Sequence, residues 1–317
     1  MGNYLEIVGG KYIWVSDLMK QLWCEQQMVY EMEEPSLERE TPAMKAGTDL
    51  HLARELAVQD IVNVEITSPE DAFAVKLINL IGMAEDFATG AACVRREIPV
   101  FGAPYGEGLF LSGIVDEIRC DAETFQLDVV EMKTRANSKT LPSTSQMATH
   151  RMQVMLYKKL FDDLVRGAVT KATIALHLRL RLDRRLGDDV LHHLGDRRAC
   201  DTLGSLTDFA FARLQSLPFV ARTTLEYCHQ ADACCFEMVA VDYDDAWLRA
   251  AYARCAGFWR GARAARGVDV EEAWKCRTCE FADTCAWRLR RIEEILSERR
   301  SACSERAGIP DRSAPDE

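Results

Sequence analysis

The chain has 317 residues, of which 48% are hydrophobic and 28% are charged, as in an ordinary globular protein. No run of about eighteen apolar residues occurs, which argues against a membrane-spanning helix, and residues 1–17 lack the apolar stretch of a secretory signal. We therefore expect an intracellular protein, in the nucleus or cytoplasm, with the mitochondrion left open. The net charge of -11 argues against a phosphate-rich partner unless a local basic groove binds it.

Helical patterns fill the first part of the chain. Ser16 suits the N-cap of the first helix, Pro42 lies near the start of the second, and Gly90 lies just after the third. These helices are predicted over residues 17–34, 41–61 and 69–88.

Strand patterns follow, in segments rich in Val, Ile, Leu and Phe. Three consecutive strands are predicted over residues 92–101, 109–119 and 125–134, and a long helix over residues 145–166. Alternating apolar residues then predict a strand over residues 173–182.

The last part of the chain is less regular. Residues 184–204 are charged and predict a loop insertion, residues 223–241 return to a strand pattern, and a helix is predicted over residues 243–266. Together the elements predict an α/β fold with a mixed central sheet flanked by helices. We expect residues 1–300 to form one domain and the polar residues 301–317 to be a disordered tail.

Two carboxylates and a lysine converge in the hairpin predicted from the second and third strands. Glu131 and Lys133 share a strand face, because side chains alternate along a strand. If the turn lies at Glu123-Thr124, Asp116 is paired directly opposite Glu131. The alternative interpretation is an ordinary cross-strand ion pair on a solvated sheet face.

Such a patch suits the hydrolysis of nucleic acid. Carboxylates bind hard divalent ions such as Mg²⁺, which orient a phosphate, generate hydroxide and stabilise a leaving oxygen. Lys133 can polarise the attacking water or stabilise the developing charge.

Two helical motifs accompany this patch. His51 and Glu55 lie four residues apart on one helix face, so His51 is a candidate metal ligand with Glu55 as its orienting partner. Gln153 and Tyr157 share a face of the helix after the lysine strand, where they can bind a nucleotide or support the strands. Taken in isolation, the same pairs also fit a capped surface histidine and a half-polar helix face.

The order Gly-x3-His, Asp, Glu-x-Lys, Gln-x3-Tyr resembles the RecB-like branch of the PD-(D/E)XK nucleases. The local sequence is also similar to that of the exonuclease V (Dem1-like) family. The segments that carry this resemblance are Arg96-Glu97-Ile-Pro-Val, Gly113-Ile-Val-Asp116-Glu, Glu131-Met-Lys133-Thr-Arg135 and Gln153-Val-Met-Leu-Tyr157-Lys. Val115 stands where the superfamily name has proline, a loose position that leaves the expected chemistry in place.

The resemblance implies a PD-(D/E)XK core and the Mg²⁺-dependent or Mn²⁺-dependent hydrolysis of single-stranded DNA. Digestion would start from an end and release short oligonucleotides, in DNA repair or genome maintenance. Asp116, Glu131 and His51 would bind the metal and Lys133 would activate water. Residues that would position the phosphate or a flanking nucleotide are Arg135, Gln153 and Tyr157.

The cysteines carry a second expectation. Twelve cysteines are many for a chain in which we see no export signal, which favours metal or cluster ligation over disulfides. Cys276, Cys279 and Cys285 have the spacing C-x2-C-x5-C, and a fourth ligand must come from elsewhere. In the exonuclease V and AddB-type nucleases that this pattern resembles, a distant upstream cysteine, here Cys24, completes a [4Fe–4S] cluster that ties the chain ends together. The alternatives are a zinc site and unligated core cysteines.

Single-stranded DNA is the expected partner, a single-strand-binding protein is a further candidate, and we expect a monomer. One alternative is a non-catalytic DNA-binding or scaffolding protein on the same fold, against which the intact carboxylates and lysine argue. Another is a different RecB-like nuclease with endonuclease activity. Aromatic residues that could stack on bases are Trp14, Tyr30, Phe101 and Tyr105.

Overall fold

The structure is a computed structural model that describes residues 12–34, 41–136, 139–195 and 199–307. Its contacts divide the chain into two compact units. The sheet unit comprises residues 1–19 and 39–263, and the cysteine unit comprises residues 20–38 and 264–317. The prediction of one domain over residues 1–300 stays a prediction. No described helix has the length and apolar character needed to cross a bilayer.

The sheet unit is built on one mixed six-stranded sheet. Its strands are β1 (Ile13–Trp14), β2 (Val94–Gly102), β3 (Leu111–Cys120), β4 (Leu127–Arg135), β5 (Val220–His229) and β6 (Cys235–Ala240). Strand β3 pairs in parallel with β1 and antiparallel with β2 and β4. Strand β5 pairs in parallel with β4 and antiparallel with β6. The predicted α/β fold with a mixed central sheet is confirmed.

Helices flank this sheet. The helices in chain order are α1 (Val15–Trp23), α2 (Glu25–Glu33), α3 (Pro42–Leu56), α4 (Pro69–Thr89), α5 (Thr144–Val165), α6 (Lys171–Leu178), α7 (Asp188–Leu194), α8 (Leu203–Leu214), α9 (Asp245–Trp259) and α10 (Ala286–Ala307). Helix α5 packs on β2, β4 and β5, and α4 packs on β2 and α8. Local sequence sets the helix ends: Ser68 caps α4 by accepting from the backbone N–H of Asp71, and Gly90 ends it in the left-handed conformation.

The hairpin of β3 and β4 has the predicted register. Glu117 pairs with Val130, so the next pair in line is Asp116 and Glu131. The turn is stabilised by Asp121, whose Oδ1 accepts hydrogen bonds from the backbone N–H groups of Glu123 at 3.1 Å and Thr124 at 2.8 Å. This side chain fixes the loop length and therefore the pairing of the two carboxylates.

The strand predicted over residues 173–182 is wrong, because residues 171–178 form helix α6. Thr170 caps this helix by accepting from the backbone N–H of Thr173, and Arg179 ends it in the left-handed conformation. Of the alternating apolar residues, Ile174 is buried while Leu176 is 75% exposed. End capping and a single buried anchor outweigh the alternating pattern here.

Two segments expected to be irregular contain helices. Residues 184–204, predicted to be a loop insertion, contain α7, which buries Val190, Leu191 and Leu194 at helical spacing. Helix α10 continues through residues 301–307, which were predicted to be disordered. The rest of that predicted tail, residues 308–317, lies outside the described residues.

The cysteine unit joins a segment near the start of the chain to one near its end. Glu25 links them, because its Oε2 accepts from the backbone N–H of Arg266 at 3.0 Å. The buried Lys275 donates to the carbonyl of Trp23 at 3.3 Å and to Glu272 at 2.8 Å. The helix predicted over residues 17–34 is broken at Cys24, which has an extended backbone and occupies the N-cap position of α2.

Candidate active site

The site lies beside a gap in the strand pairing of β3, at residues 113–116, which have a described paired strand on one edge only. Strand β2 pairs along one edge of β3, from residue 111 to residue 119. On the other edge β1 pairs with residues 111–112 and β4 with residues 117–120. No described strand therefore pairs with residues 113–116 on that edge, and Asp116 stands at the point where β3 and β4 separate. Its Oδ2 accepts from the backbone N–H of Met132 at 2.7 Å, which holds the carboxylate in the gap.

Glu131 is the most enclosed carboxylate of the site, with 3% of its surface exposed. Its Oε1 accepts from Lys133 Nζ at 2.7 Å and from Gln153 Nε2 at 2.7 Å. Lys133 also donates to Gln153 Oε1 at 2.8 Å, and Gln153 donates to the hydroxyl of Tyr157 at 3.1 Å. The other carboxylate oxygen, Glu131 Oε2, is buried without a hydrogen-bond partner. One oxygen is thus held by the protein and one is left for a ligand.

Gly113 makes room for this network. A Cβ atom at Gly113 would lie 2.7 Å from the ring of Tyr157 and 3.0 Å from Val15. The glycine is therefore required by the close approach of a buried aromatic ring to the strand backbone.

Glu97 is a site residue that the sequence analysis missed, although it lies in a segment quoted for the family resemblance. One ligand atom each from His51, Glu97 and Asp116 all lie within 4.8 Å of one another. His51 Nδ1 is 3.6 Å from Asp116 Oδ1 and 4.0 Å from Glu97 Oε1. Glu97 has a positive φ of 52°, and this unusual backbone conformation accompanies an interrupted pairing of β2 with β3.

Glu55 does not contact His51 as the helical spacing predicted. Its carboxylate accepts from Gln59 Nε2 at 3.0 Å, and the carboxylates near His51 are those of Glu97 and Asp116. Helix α3, which carries His51, is attached to the sheet by Arg54, which donates to Glu226 on β5 at 2.5 Å. Arg135 is the last residue of β4, where it pairs with His229 of β5.

Burial controls the protonation of the site. It raises the pKa of Glu131 to about 8, with a further increase from the charge of Asp116. Burial also raises the pKa of Asp116 to about 6 and that of Glu97 to about 7. It lowers the pKa of His51 to about 4, so the imidazole is neutral at physiological pH, the form that binds metals.

These residues fit a divalent metal ion. Buried carboxylates with raised pKa values are stabilised when a cation replaces their protons. The unpartnered Glu131 Oε2 and the three converging ligand atoms of His51, Glu97 and Asp116 supply oxygen and imidazole donors of the kind that Mg²⁺ and Mn²⁺ accept.

The four predicted cluster ligands lie together in the cysteine unit. Cys24, Cys276, Cys279 and Cys285 line one cavity of about 620 Å³, and all four are free thiols. Apolar side chains form much of the wall, including Trp274, Phe281 and Trp287. Burial raises the pKa of the Cys24 thiol, while hydrogen bonds from the backbone of Gln27 and Gln26 at the start of α2 act in the opposite direction. Such N–H groups stabilise a thiolate, and the cavity has room for a group larger than one ion.

Comparison with known proteins places the chain in a family. The family described as "Exonuclease V - a 5' deoxyribonuclease" matches residues 8–128, 121–215 and 201–288. Exonuclease V of Danio rerio is 35% identical over 288 residues, which cover 89% of this chain and 72% of that protein. The crystal structure of SSO0001 aligns with 87% of this chain and 86% of that one, at 16% identity and a TM-score of 0.37. The chain therefore belongs to the exonuclease V family and is a nuclease, specifically a deoxyribonuclease.

Proposed function

We propose that this nuclease is a metal-dependent exonuclease that hydrolyses single-stranded DNA from its 5' end and releases short oligonucleotides. The observation that carries the proposal is the buried Glu131, of which one carboxylate oxygen has no hydrogen-bond partner. It lies with Asp116, His51 and Lys133 beside the gap in the pairing of β3. The 5' direction is taken from the description of the matching family. The proposal includes a role in DNA repair or genome maintenance, which the family membership supports.

In this proposal Asp116, Glu131, His51 and Glu97 hold Mg²⁺ or Mn²⁺. When bound, the metal supplies a lowered pKa for an attacking water and charge stabilisation at the phosphate. Lys133 Nζ lies 2.7 Å from Glu131 Oε1, where the ammonium can orient water and stabilise the negative charge that develops on the phosphate. Gln153 fixes both Lys133 and Glu131, and Tyr157 in turn fixes Gln153.

We also propose that Cys24, Cys276, Cys279 and Cys285 bind a [4Fe–4S] cluster with a structural role. The proposal is supported by four free thiols around one apolar-walled cavity and by the family membership of the chain. The cluster would join the two chain segments of which the cysteine unit is made.

The test uses linear and circular single-stranded DNA with Mg²⁺ and the brown, cluster-containing protein. We expect the linear strand to be degraded and the circular strand to survive, because an exonuclease needs an end. A 5'-terminal label should appear in short products from the start of the reaction. Lys133→Ala should lose the activity, whereas Lys139→Ala, which removes an exposed lysine paired with Asp232, should keep it.

Each outcome bears on a different part of the proposal. Cleavage of the circular strand would show an endonuclease on the same core. Early release of a 3'-terminal label alone would reverse the direction of digestion. Activity that is equal in the two lysine variants would mean that the assigned site does not catalyse the reaction.

A further inference from the structure

A cavity lined by aromatic side chains at the start of β3 contains the ammonium group of a lysine, Lys76, that has no carboxylate partner among the described residues. The cavity has a volume of about 310 Å³, and its walls include Tyr12, Trp14, Phe110 and Ser112. Lys76 of α4 enters it, with Nζ 5.2 Å from the ring centroid of Trp14 and 5.9 Å from that of Tyr12. The volume lies at the lower end of the range for small-molecule sites, which suits a ligand of the size of one nucleotide.

Lys76 is charged in a place where charge is unfavourable. Burial lowers the pKa of its ammonium group. Its polar contact is a hydrogen bond to Ser112 Oγ at 3.2 Å, and among the described residues no carboxylate lies within ion-pair distance of Nζ. Other half-buried lysines of the sheet unit have a carboxylate partner: Lys158 has Asp162 and Lys159 has Asp163, each at 2.6 Å. In a chain with a net charge of -11, such a cation points to an anionic ligand.

The position of the cavity connects it to the active site. Trp14 pairs with Ser112 in the sheet, and Ser112 precedes Asp116 by four residues on the same strand. Four residues of strand span roughly 13 Å, so a ligand in the cavity lies near enough to be part of the same polymer as a phosphate at Asp116.

Among the aromatic residues predicted as candidates for stacking on bases, Trp14 differs from the others in its exposure and contacts. Phe101 is 1% exposed. The hydroxyl of Tyr105 donates to Asp245 at 2.8 Å, while Lys159 and Arg249 already lie over its ring. Tyr30 belongs to the cysteine unit, where its hydroxyl accepts from the backbone N–H of Ala286. Trp14 combines partial exposure, a cavity and a neighbouring cation without a carboxylate.

We propose that the cavity formed by Trp14, Tyr12, Lys76 and Ser112 binds one nucleotide of single-stranded DNA at a distance from the metal site. The base stacks on Trp14, and Lys76 contacts the adjoining phosphate, with Ser112 holding the ammonium in place. This inference rests on the proposed action on single-stranded DNA and assigns a substrate subsite to it. Stacking and a phosphate contact are both independent of base identity, so the subsite is expected to tolerate any sequence.

The experiment measures equilibrium binding of a fluorescent thymidine oligonucleotide to the full chain by anisotropy, in the presence of a chelator to prevent cleavage. Trp14→Leu should raise Kd about fivefold or more, the loss expected for one stacked base. Lys76→Met should raise Kd and should reduce the slope of log Kd against log salt by about 0.7, the loss of one phosphate contact to a single strand. On an abasic oligonucleotide, Trp14→Leu should have no effect.

Matched controls use similar residues elsewhere. Phe219→Leu removes an exposed ring that also lies under a cation, Arg166, and Lys171→Met removes an exposed lysine paired with Asp208. Neither should change binding. Thermal melting separates binding from folding: Lys76→Met removes a half-buried charge and should leave the melting temperature unchanged or higher.

The inference is overturned if both variants bind the oligonucleotide as tightly as the wild type, or if Lys76→Met lowers the melting temperature in parallel with binding. It is also overturned if Trp14→Leu weakens binding of the abasic strand equally. Wild-type protein that cleaves single-stranded DNA while these variants bind normally would leave the proposed function intact. Wild-type protein that neither binds nor cleaves it would instead refute the proposed function.

Discussion

At the residue scale, the site depends on carboxylates that are buried before any ligand arrives. Glu131 is held by Lys133 and Gln153 at one oxygen, and its other oxygen has no partner. A buried carboxylate in this state favours its proton, and a metal ion is the natural replacement for that proton.

This burial predicts a pH dependence of the metal-free protein. The pKa of Glu131 is raised from 4.5 to about 8, so between these values the native state binds a proton that the unfolded chain has released. The free energy of unfolding therefore decreases as pH rises through this window. We expect the melting temperature of chelator-treated protein to fall by a few degrees from pH 5.5 to pH 8, and Glu131→Gln to weaken that dependence. Scanning calorimetry at several pH values tests this, and a melting temperature that rises over the same range would contradict it.

The sequence and the structure point to different glutamates as the carboxylate near His51. Helical spacing favours Glu55, whereas the structure places Glu97 4.0 Å from the imidazole and Glu55 against Gln59. Glu97→Gln should therefore raise the Mg²⁺ concentration for half-maximal cleavage about tenfold or more, in the range seen when groups around a metal are altered. Glu55→Gln is the matched control and should change it little. A titration in which Glu55→Gln has the larger effect would restore the assignment made from the sequence.

At the element scale, the site is a consequence of incomplete strand pairing. Because β1 and β4 pair with opposite ends of one edge of β3, residues 113–116 are left between them. Tyr157 of α5 approaches the backbone at Gly113 in this gap. The same helix supplies Gln153, so the position of α5 on the sheet determines the geometry around Glu131 and Lys133.

Gly113→Ala tests this contact. The added Cβ would lie 2.7 Å from the ring of the buried Tyr157, so the ring or the strand must shift. We expect a loss of stability of about 1–3 kcal/mol in urea unfolding and reduced cleavage, since Tyr157 supports Gln153. Gly82→Ala in α4 is the control: no atom lies within 4 Å of its added Cβ, and it should stabilise the helix by about 0.5–1 kcal/mol. Equal effects of the two substitutions would argue against the packing explanation.

At the scale of the whole molecule, the chain forms a sheet unit with the proposed nuclease site and a cysteine unit made from two distant segments. Hydrogen bonds join those segments, among them those of Glu25 with Arg266 and of Tyr30 with Ala286. A bound cluster would add four strong links around the cavity that the four cysteines line.

Cys276→Ala should therefore remove iron and the brown colour and should make residues 264–307 sensitive to limited proteolysis, with residues 41–263 remaining resistant. Cys93→Ala, which removes an exposed cysteine outside this group, should retain iron. Iron analysis and mass spectrometry of the fragments measure both effects. Full iron content in Cys276→Ala would show that this thiol is not a ligand, and zinc in place of iron in the wild type would favour the zinc site.

Features that depend on neighbouring residues could be predicted from the amino-acid sequence. Alternation and a turn at Glu123-Thr124 predicted the β3–β4 hairpin and the facing pair Asp116 and Glu131, and the motif order indicated the family. Local periodicity was misleading at residues 171–178, where capping and burial of Ile174 produce a helix.

Contacts between residues far apart in the chain are visible in the folded structure and could not be predicted from the sequence. Glu97, which has a positive φ in β2, lies 4.0 Å from His51. Trp14 and Lys76 meet at the start of β3, where β1 pairs with Ser112 and Lys76 donates to the same residue. Spacing along one helix or strand carries no information on such contacts, since they arise when separate elements pack on a common sheet.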